Sequence, residues 1–146
     1  MRWFSAVFTF IAGSFITVQA GQNAQLKKAI QQMPALAANY VAGMCAVLLA
    51  LAFQRKQLSA VTQAGDAPWW SWFGGISGAL YGVSVVFFAT QLGAGALTSL
   101  AVSGQLICSV VLDHYGWLGF DVHPASIWRI LVCVLMIAGF TLIAKF

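Results

Sequence analysis

Residues 15–30 read FITVQAGQNAQLKKAI, an apolar segment that turns polar before ending at a pair of lysines. The amides in this segment are Gln19, Gln22, Asn23 and Gln25. Either the hydrophobic segment has already ended by Gln19, or it continues and carries amides that lipid cannot satisfy. The composition of the rest of the chain bears on that choice.

The chain as a whole is too apolar for a soluble domain. Of its 146 residues, 61% are hydrophobic and 7% are charged, whereas soluble domains carry about 25% charged residues. Long apolar runs recur along the chain, which predicts a polytopic protein with the lipid bilayer as its solvent. The net charge of +4 comes from basic residues that mostly flank apolar runs, as membrane helix ends require. We therefore exclude nucleic acid as a partner.

Apolar windows predict an all-α membrane protein with five transmembrane helices in a single domain, residues 1–146. A bilayer core of about 30 Å needs roughly 20 apolar residues per helix. The predicted spans are 3–26, 33–53, 69–91, 94–112 and 125–145. A proline stands at the start of three spans, where its missing N–H costs nothing. The N-terminal run also resembles a secretory signal, but we interpret it as a retained first helix.

Small residues at four-residue spacing predict close helix packing. Such spacing lets backbones approach in lipid, where packing replaces the hydrophobic drive. The glycines concerned are Gly13 and Gly21 in the first span and Gly74, Gly78 and Gly82 in the third. We assign these glycines to packing and not to substrate binding. The short QLGAG segment between the third and fourth spans predicts a tight antiparallel hairpin.

The distribution of basic residues leaves the orientation open. With five spans, Arg2, Arg55, Lys56 and Arg129 fall on the side of the N-terminus, and Lys27, Lys28 and Lys145 fall on the other. Because the two sides are nearly balanced, the positive-inside rule barely selects an orientation. Insertion in both directions with pairing as an inverted homodimer is one alternative. The other is a fixed orientation with the N-terminus inside.

The amides of the first span share one face of the predicted helix. At 100° per residue, Gln19 and Asn23 lie together, opposite the stripe of Gly13 and Gly21. An unpaired amide in apolar surroundings costs roughly 1–3 kcal/mol, and an interhelical hydrogen bond in a membrane returns about 0.6 kcal/mol. We therefore expect this face to line a polar cavity or contact a partner helix. Gln25, closer to the lysines, is expected at the membrane interface.

The fourth span carries a second polar stripe. Gln105, Ser109 and Asp113 recur every four residues toward the predicted membrane edge. Tyr40 in the second span and Tyr81 in the third could complete a binding pocket, and their rings could also hold a cation. We predict substrate contacts at Gln19, Asn23, Gln105, Tyr40 and Tyr81. Asp113 and His114 are the candidates for gating or ion coupling.

The sequence offers little for catalysis or metal binding. Asp113, His114, Asp121 and His123 lack a regular ligand spacing, and a hydrated loop is the favoured interpretation of this region. No nucleophile–base arrangement is visible, and the three cysteines follow no zinc pattern. We predict a protein that is not an enzyme and needs no metal or cofactor.

Four segments resemble the YdcZ-like branch of the drug/metabolite transporter superfamily. They are QAGQNAQLKKAI (19–30), PWWSWFGGISGALYGVSVV (68–86), SGQLICSVVLDHYGWLG (103–119) and RILVCVLMIAGFTLIAKF (129–146). The resemblance implies a five-helix protein of the bacterial inner membrane. Longer superfamily members hold two inverted five-helix repeats, so this chain is similar to one half, completed by dimerisation. Such repeats place the substrate site between the halves, near the midplane.

One position departs from a related pattern. The first span is similar in layout to that of small multidrug resistance proteins, which carry a membrane glutamate eight residues before a lysine. Gln19 occupies that position relative to Lys27. Because an amide cannot titrate, the correspondence implies that proton exchange through this position is absent.

These observations predict a secondary transporter subunit that moves a small polar organic solute by alternating access. The all-amide site favours a neutral or zwitterionic solute over a lipophilic cation. The alternative is a membrane assembly or lipid-binding bundle without transport, in which polar residues only hold helices together. An ion channel ranks third, because no ring of charges or carbonyl filter is apparent.

Overall fold

A computed structural model describes residues 2–54 and 64–146, and these residues form helices and connecting turns without any β-strand. The helices are α1 (Arg2–Ile30), α2 (Gln32–Phe53), α3 (Gly74–Leu92), α4 (Ala94–Tyr115) and α5 (Ile127–Lys145). Within the described chain, five helical segments are long and apolar enough to cross a membrane. The predicted all-α, five-helix fold is confirmed. Arg55 and Lys56, used in the orientation argument, lie outside the described residues.

The helices match the predicted spans in number and order but differ at their ends. α1 continues beyond the predicted limit, through Lys27 and Lys28 to Ile30. Glutamine and lysine are good helix formers, and lysines in a last turn offset the negative end of the helix dipole. The polar composition therefore marks a change of solvent and not the end of the helix. α4 likewise continues to Tyr115.

A single residue, Gln31, connects α1 to α2. Its backbone has φ 69° and ψ 177°, a region that is occupied almost only by glycine. Its N–H donates to the carbonyl of Lys27 (3.0 Å), and its carbonyl accepts from the N–H of Ala35 (3.2 Å). Pro34 lies in the first turn of α2, where no N–H is required. The turn thus joins two packed helices at the cost of one strained residue.

The chain comprises two compact units, Met1–Ala89 and Thr90–Phe146. In the first unit, each of the three helices contributes two buried residues. These are Ala20 and Asn23 from α1, Ala35 and Leu36 from α2, and Val85 and Val86 from α3. The buried side chains are small or medium in size, while large apolar side chains such as Phe15 and Leu49 are exposed. This distribution suits helices whose outer faces meet lipid.

The second unit contains α4 packed on α5. Gly116 caps the C-terminal end of α4. It adopts the left-handed conformation (φ 64°) and donates its N–H to the carbonyl of Leu112. A Cβ at Gly116 would lie 2.7 Å from Cγ2 of Val122, so glycine is required both for the cap and for the returning loop. Ser126 caps α5 by accepting the N–H of Arg129. The loop 116–126 is therefore fixed at both ends.

Candidate functional site

A small cavity lies among α1, α2 and α3 in the first unit. Its volume is about 40 Å³, and its lining residues are Ile16, Gln19, Asn23, Leu36, Asn39, Tyr40, Tyr81, Gly82 and Val85. Four of the five predicted substrate residues, Gln19, Asn23, Tyr40 and Tyr81, therefore line one space. Organic ligand pockets measure roughly 300–1,000 Å³, so this cavity accommodates a single functional group or a water molecule, not a whole solute.

An open groove adjoins the cavity along the amide face of α1. The groove has a volume of about 370 Å³ and is lined by Phe15, Ile16, Gln19, Gln22 and Asn39. Three residues, Ile16, Gln19 and Asn39, line the groove and the cavity alike. Gln19 is thus positioned between a small, more enclosed polar space and an open one that is large enough for a small solute.

Asn23 is the most enclosed polar side chain of the first unit. Asn23 is 4% exposed, and its side-chain amide has no hydrogen-bond partner among the described residues. No buried polar side-chain atom of the described residues is sealed off without a partner. The amide atoms of Asn23 must therefore reach the surface of the cavity that this residue lines.

Tyr40 closes one wall of the cavity through a contact with α3. Its hydroxyl donates to the carbonyl of Gly78 at 2.6 Å. A Cβ placed on Gly82 would collide with the Tyr40 hydroxyl and would lie 3.0 Å from Cδ1 of Leu36. Gly82 therefore has to be a glycine for Tyr40 to sit across α3. The sequence showed the tyrosine and the glycine stripe, but nothing in it paired them.

The other predicted packing glycines have open surroundings. A Cβ on Gly13, Gly21, Gly74 or Gly78 would meet none of the described atoms within 4 Å. A helix-packing role for these glycines stays a prediction. Gly78 does serve α3, but through its carbonyl group and not through its missing side chain.

Lys27 lies one helical turn beyond Asn23 on α1. The half-buried side chain reaches α3, where Nζ donates to the carbonyl of Val86 at 3.0 Å. Val86 directly follows Val85 of the cavity lining. A cationic group therefore lies close to the cavity, while the chain's acidic residues, Asp66, Asp113 and Asp121, are absent from α1, α2 and α3.

In the second unit, Asp113 forms an ion pair with Arg129. Nη1 of Arg129 lies 3.0 Å from Oδ2 of Asp113, and the two side chains are 36% and 30% exposed. The pair borders a cleft of about 270 Å³, whose other lining residues are Leu106, Ser109, Val110 and Val132. From the sequence, Arg129 was used only to predict the orientation of the chain in the membrane. The opposite charges of Asp113 and Arg129, on either side of a short loop, could have predicted this ion pair.

The loop after α4 is held by one side-chain and one backbone hydrogen bond at its two histidines. His114 Nδ1 accepts the N–H of Ala125 at 3.0 Å, and the N–H of His123 donates to the carbonyl of Asp113 at 2.8 Å. While the loop is in this arrangement, Nδ1 of His114 is occupied as an acceptor. Among residues 2–54 and 64–146, no three His, Cys, Asp or Glu side chains form a group that could hold a metal ion.

Gln105, the fifth predicted substrate residue, is an exposed side chain of α4 and belongs to the second unit. The serines near these sites bond to their own helices. Ser109 donates to the carbonyl of Gln105 at 2.8 Å, and Ser84 donates to that of Tyr81 at 2.7 Å. Serines bonded in this way are weak candidates for substrate contacts.

The fold and the polar site are those of a polytopic membrane protein, and a family comparison gives the class of transport proteins. The family model described as "Putative inner membrane exporter, YdcZ" matches residues 4–142. The chain belongs to this YdcZ family. Searches of curated proteins and of solved structures gave no match. Membership of this family indicates an inner-membrane transporter and does not identify the solute.

Proposed function

We propose that the chain is a subunit of a secondary transporter that moves a small polar organic solute, neutral or zwitterionic, across the bacterial inner membrane by alternating access. The position of Gln19 carries this proposal. Gln19 lines both the small polar cavity and the open groove. A solute in the groove would meet the amides of Gln19, Gln22 and Asn39. None of the residues that line the groove is charged.

The chemistry of the groove favours hydrogen bonding over ion pairing. The groove is lined by two apolar residues and three amides, and an amide offers both donors and acceptors. Hydroxyl, amide or zwitterionic groups of a solute could pair with such a lining. A lipophilic cation would find no carboxylate on α1, α2 or α3.

Dimerisation is part of the same proposal. The small cavity does not hold a whole solute, and the groove is open, so a second chain is proposed to complete the transport path. Longer members of the superfamily, which the sequence resembles, join two inverted repeats in one chain. A homodimer, parallel or antiparallel, supplies the second half here, and Gln105 would meet the solute in that assembly.

The Asp113–Arg129 pair is proposed as a gate at the end of the α4–α5 cleft. Nη1 of Arg129 contacts the carboxylate of Asp113 at 3.0 Å and approaches the carbonyl of His123 at 3.4 Å. Opening the pair would free the loop that His114 and His123 hold. Coupling to an ion through Asp113 or His114 is the competing role for these residues.

The rival class is a helical bundle without transport, in which the polar residues only join helices. The hydrogen bonds from Tyr40 to Gly78 and from Lys27 to Val86 are of the kind that such a bundle needs. Asn23 favours the transporter, because a buried amide without a partner among the described residues joins no helices.

The test is a ligand screen on the purified full-length protein, followed by solute exchange. Neutral and zwitterionic polar solutes are screened for a rise in the apparent melting temperature, since a ligand of the folded state stabilises it. Each hit is then assayed for exchange in proteoliposomes made with wild type, Gln19→Leu and Gln25→Leu.

We expect Gln19→Leu to lose binding and exchange and Gln25→Leu to keep both, because Gln25 lines neither the cavity nor the groove. Equal exchange by both variants would contradict the proposed role of Gln19. The absence of exchange for every solute screened would favour the structural bundle.

A further inference from the structure

The small, partly open cavity in the first unit has unused hydrogen-bonding capacity. Asn23 is 4% exposed, and neither it nor Gln19, Asn39 or the Tyr81 hydroxyl has a partner among the described residues. Each amide can donate two hydrogen bonds, and the Tyr81 hydroxyl can donate one. Four side chains from three helices thus face one small space with free donors.

The volume limits what the space can hold. The cavity measures about 40 Å³, and a water needs about 10–15 Å³ of cavity volume. A few waters, a monoatomic ion or one compact group such as a carboxylate fits. A solute body does not fit, and it would have to remain in the adjoining groove.

The surrounding charge decides between ligands of opposite sign. Amides accept as well as donate, so the lining alone would also suit a cation. The ammonium of Lys27, however, reaches the carbonyl of Val86, the residue that follows Val85 of the lining. No acidic residue occurs on α1, α2 or α3. Lys27 and Lys28 in the last turn of α1 also offset the negative end of that helix.

The hydrogen bond of Tyr40 also favours a negatively charged ligand. Its hydroxyl hydrogen is already committed to the carbonyl of Gly78, so this carbonyl oxygen is covered by a donor. Likewise, the Val86 carbonyl accepts from Lys27. Two backbone acceptors that could attract a cation to this part of α3 are therefore engaged, while the donors of Asn23, Gln19, Asn39 and Tyr81 stay free.

We propose that this cavity is a binding site for a compact monoanionic group, with Asn23 as its central donor. The group is either a free ion of the size of chloride or formate, or the carboxylate of a zwitterionic solute whose body lies in the groove. The second source rests on the proposed transport function, whereas the first is independent of it.

Thermal unfolding of the purified full-length protein tests the site without requiring transport. At constant sodium concentration and ionic strength, gluconate, which is too large for the cavity, is replaced stepwise by chloride or formate. A third titration adds alanine to the gluconate buffer. We expect at least one of the three to raise the melting temperature with saturation, because a ligand stabilises the state that it binds.

Two variants assign the effect to the cavity. Asn23→Leu has a similar size and no donor, and should weaken anion binding about tenfold or more, the range expected when a hydrogen bond to a charged group is lost. Gln25→Leu, outside the cavity, should bind as wild type does. Line broadening in chlorine NMR provides a second measure of chloride binding that does not depend on stability.

The outcomes distinguish a free ion from the carboxylate of a solute, and both from the absence of an anion site. Shifts with chloride or formate that are lost in Asn23→Leu support a free-ion site, and a shift with alanine alone assigns the group to a solute. Equal melting temperatures in all three titrations, alanine included, without chlorine line broadening, would overturn the proposal and leave the cavity to water. A shift that persists in Asn23→Leu, or that follows sodium against choline at fixed chloride, would also overturn it.

Discussion

Tyr40 shows how one side chain can define a cavity. Its ring crosses from α2 to α3, where the hydroxyl donates to the Gly78 carbonyl above the gap left by Gly82. The hydrogen bond and the missing side chain act together, because either one alone would leave Tyr40 free to adopt other rotamers. The wall between the cavity and its surroundings depends on this pair.

Gly82→Ala tests that dependence. The added Cβ would collide with the Tyr40 hydroxyl and press on Leu36, and overpacking of this kind costs about 1–3 kcal/mol. Gly74→Ala is the matched control on the same helix, because a Cβ there meets none of the described atoms. The control should be neutral or stabilise by about 0.5–1 kcal/mol through helix propensity.

The measurement is the free energy of unfolding of both variants in the same detergent. Equal stability of Gly82→Ala and Gly74→Ala would show that Tyr40 does not depend on the gap at Gly82.

Gln31 carries backbone strain that a substitution can relieve. Its φ of 69° and ψ of 177° are sparsely populated for any residue with a side chain, at a cost of about 1–3 kcal/mol. We expect Gln31→Gly to stabilise the folded protein by about 1 kcal/mol, after the greater flexibility of glycine in the unfolded chain is subtracted. Gln32→Gly, at the first residue of α2, should destabilise the protein, because this variant relieves no strain and only increases the flexibility of the unfolded chain. Destabilisation by both variants would contradict a strained turn.

At the scale of helices and loops, the Asp113–Arg129 pair joins the end of α4 to the start of α5. Both side chains are about one-third exposed, so the pair contributes in the range of about 0.2–1 kcal/mol that exposed ion pairs give. Asp113→Asn and Arg129→Gln should each lower stability within that range. The double variant should cost no more than the larger single change, which a double-mutant cycle measures.

Solute exchange by the same variants separates the two roles of Asp113. A gate predicts similar changes for Asp113→Asn and Arg129→Gln, because each opens the same contact. Exchange that is abolished by Asp113→Asn and unchanged by Arg129→Gln would contradict the gate and assign Asp113 to ion coupling.

The helices could be predicted from the sequence because apolar length fixes what crosses a bilayer. The end of α1 could not, since Lys27 and Lys28 mark a polar environment while remaining compatible with a helix. The amide face of Gln19 and Asn23 followed from helical periodicity. The Tyr40–Gly78 contact did not follow, because it depends on how α2 is rotated against α3, and local pattern carries no information on that rotation.

At the scale of the whole molecule, we expect a second chain to complete the proposed transport path. The groove beside Gln19 is open, and a Cβ on Gly13, Gly21 or Gly74 would meet none of the described atoms within 4 Å. We expect native mass spectrometry from mild detergent to show a homodimer. Gly13→Leu, at a position where a Cβ meets none of the described atoms, should weaken that dimer, whereas Leu49→Ala on an exposed apolar face of α2 should not. A monomer that binds the solute fully would contradict the requirement for a second chain.

The central claim is that Gln19 faces a hydrated path and not lipid. In a background with Cys45, Cys108 and Cys133 replaced, Gln19→Cys and Val18→Cys are treated with a membrane-impermeant thiol reagent from each side of the membrane. Val18 is the control because it is the exposed apolar neighbour of Gln19 on α1. The account predicts labelling at Gln19→Cys and none at Val18→Cys. A Gln19→Cys variant that is folded and stays unlabelled from both sides would contradict it.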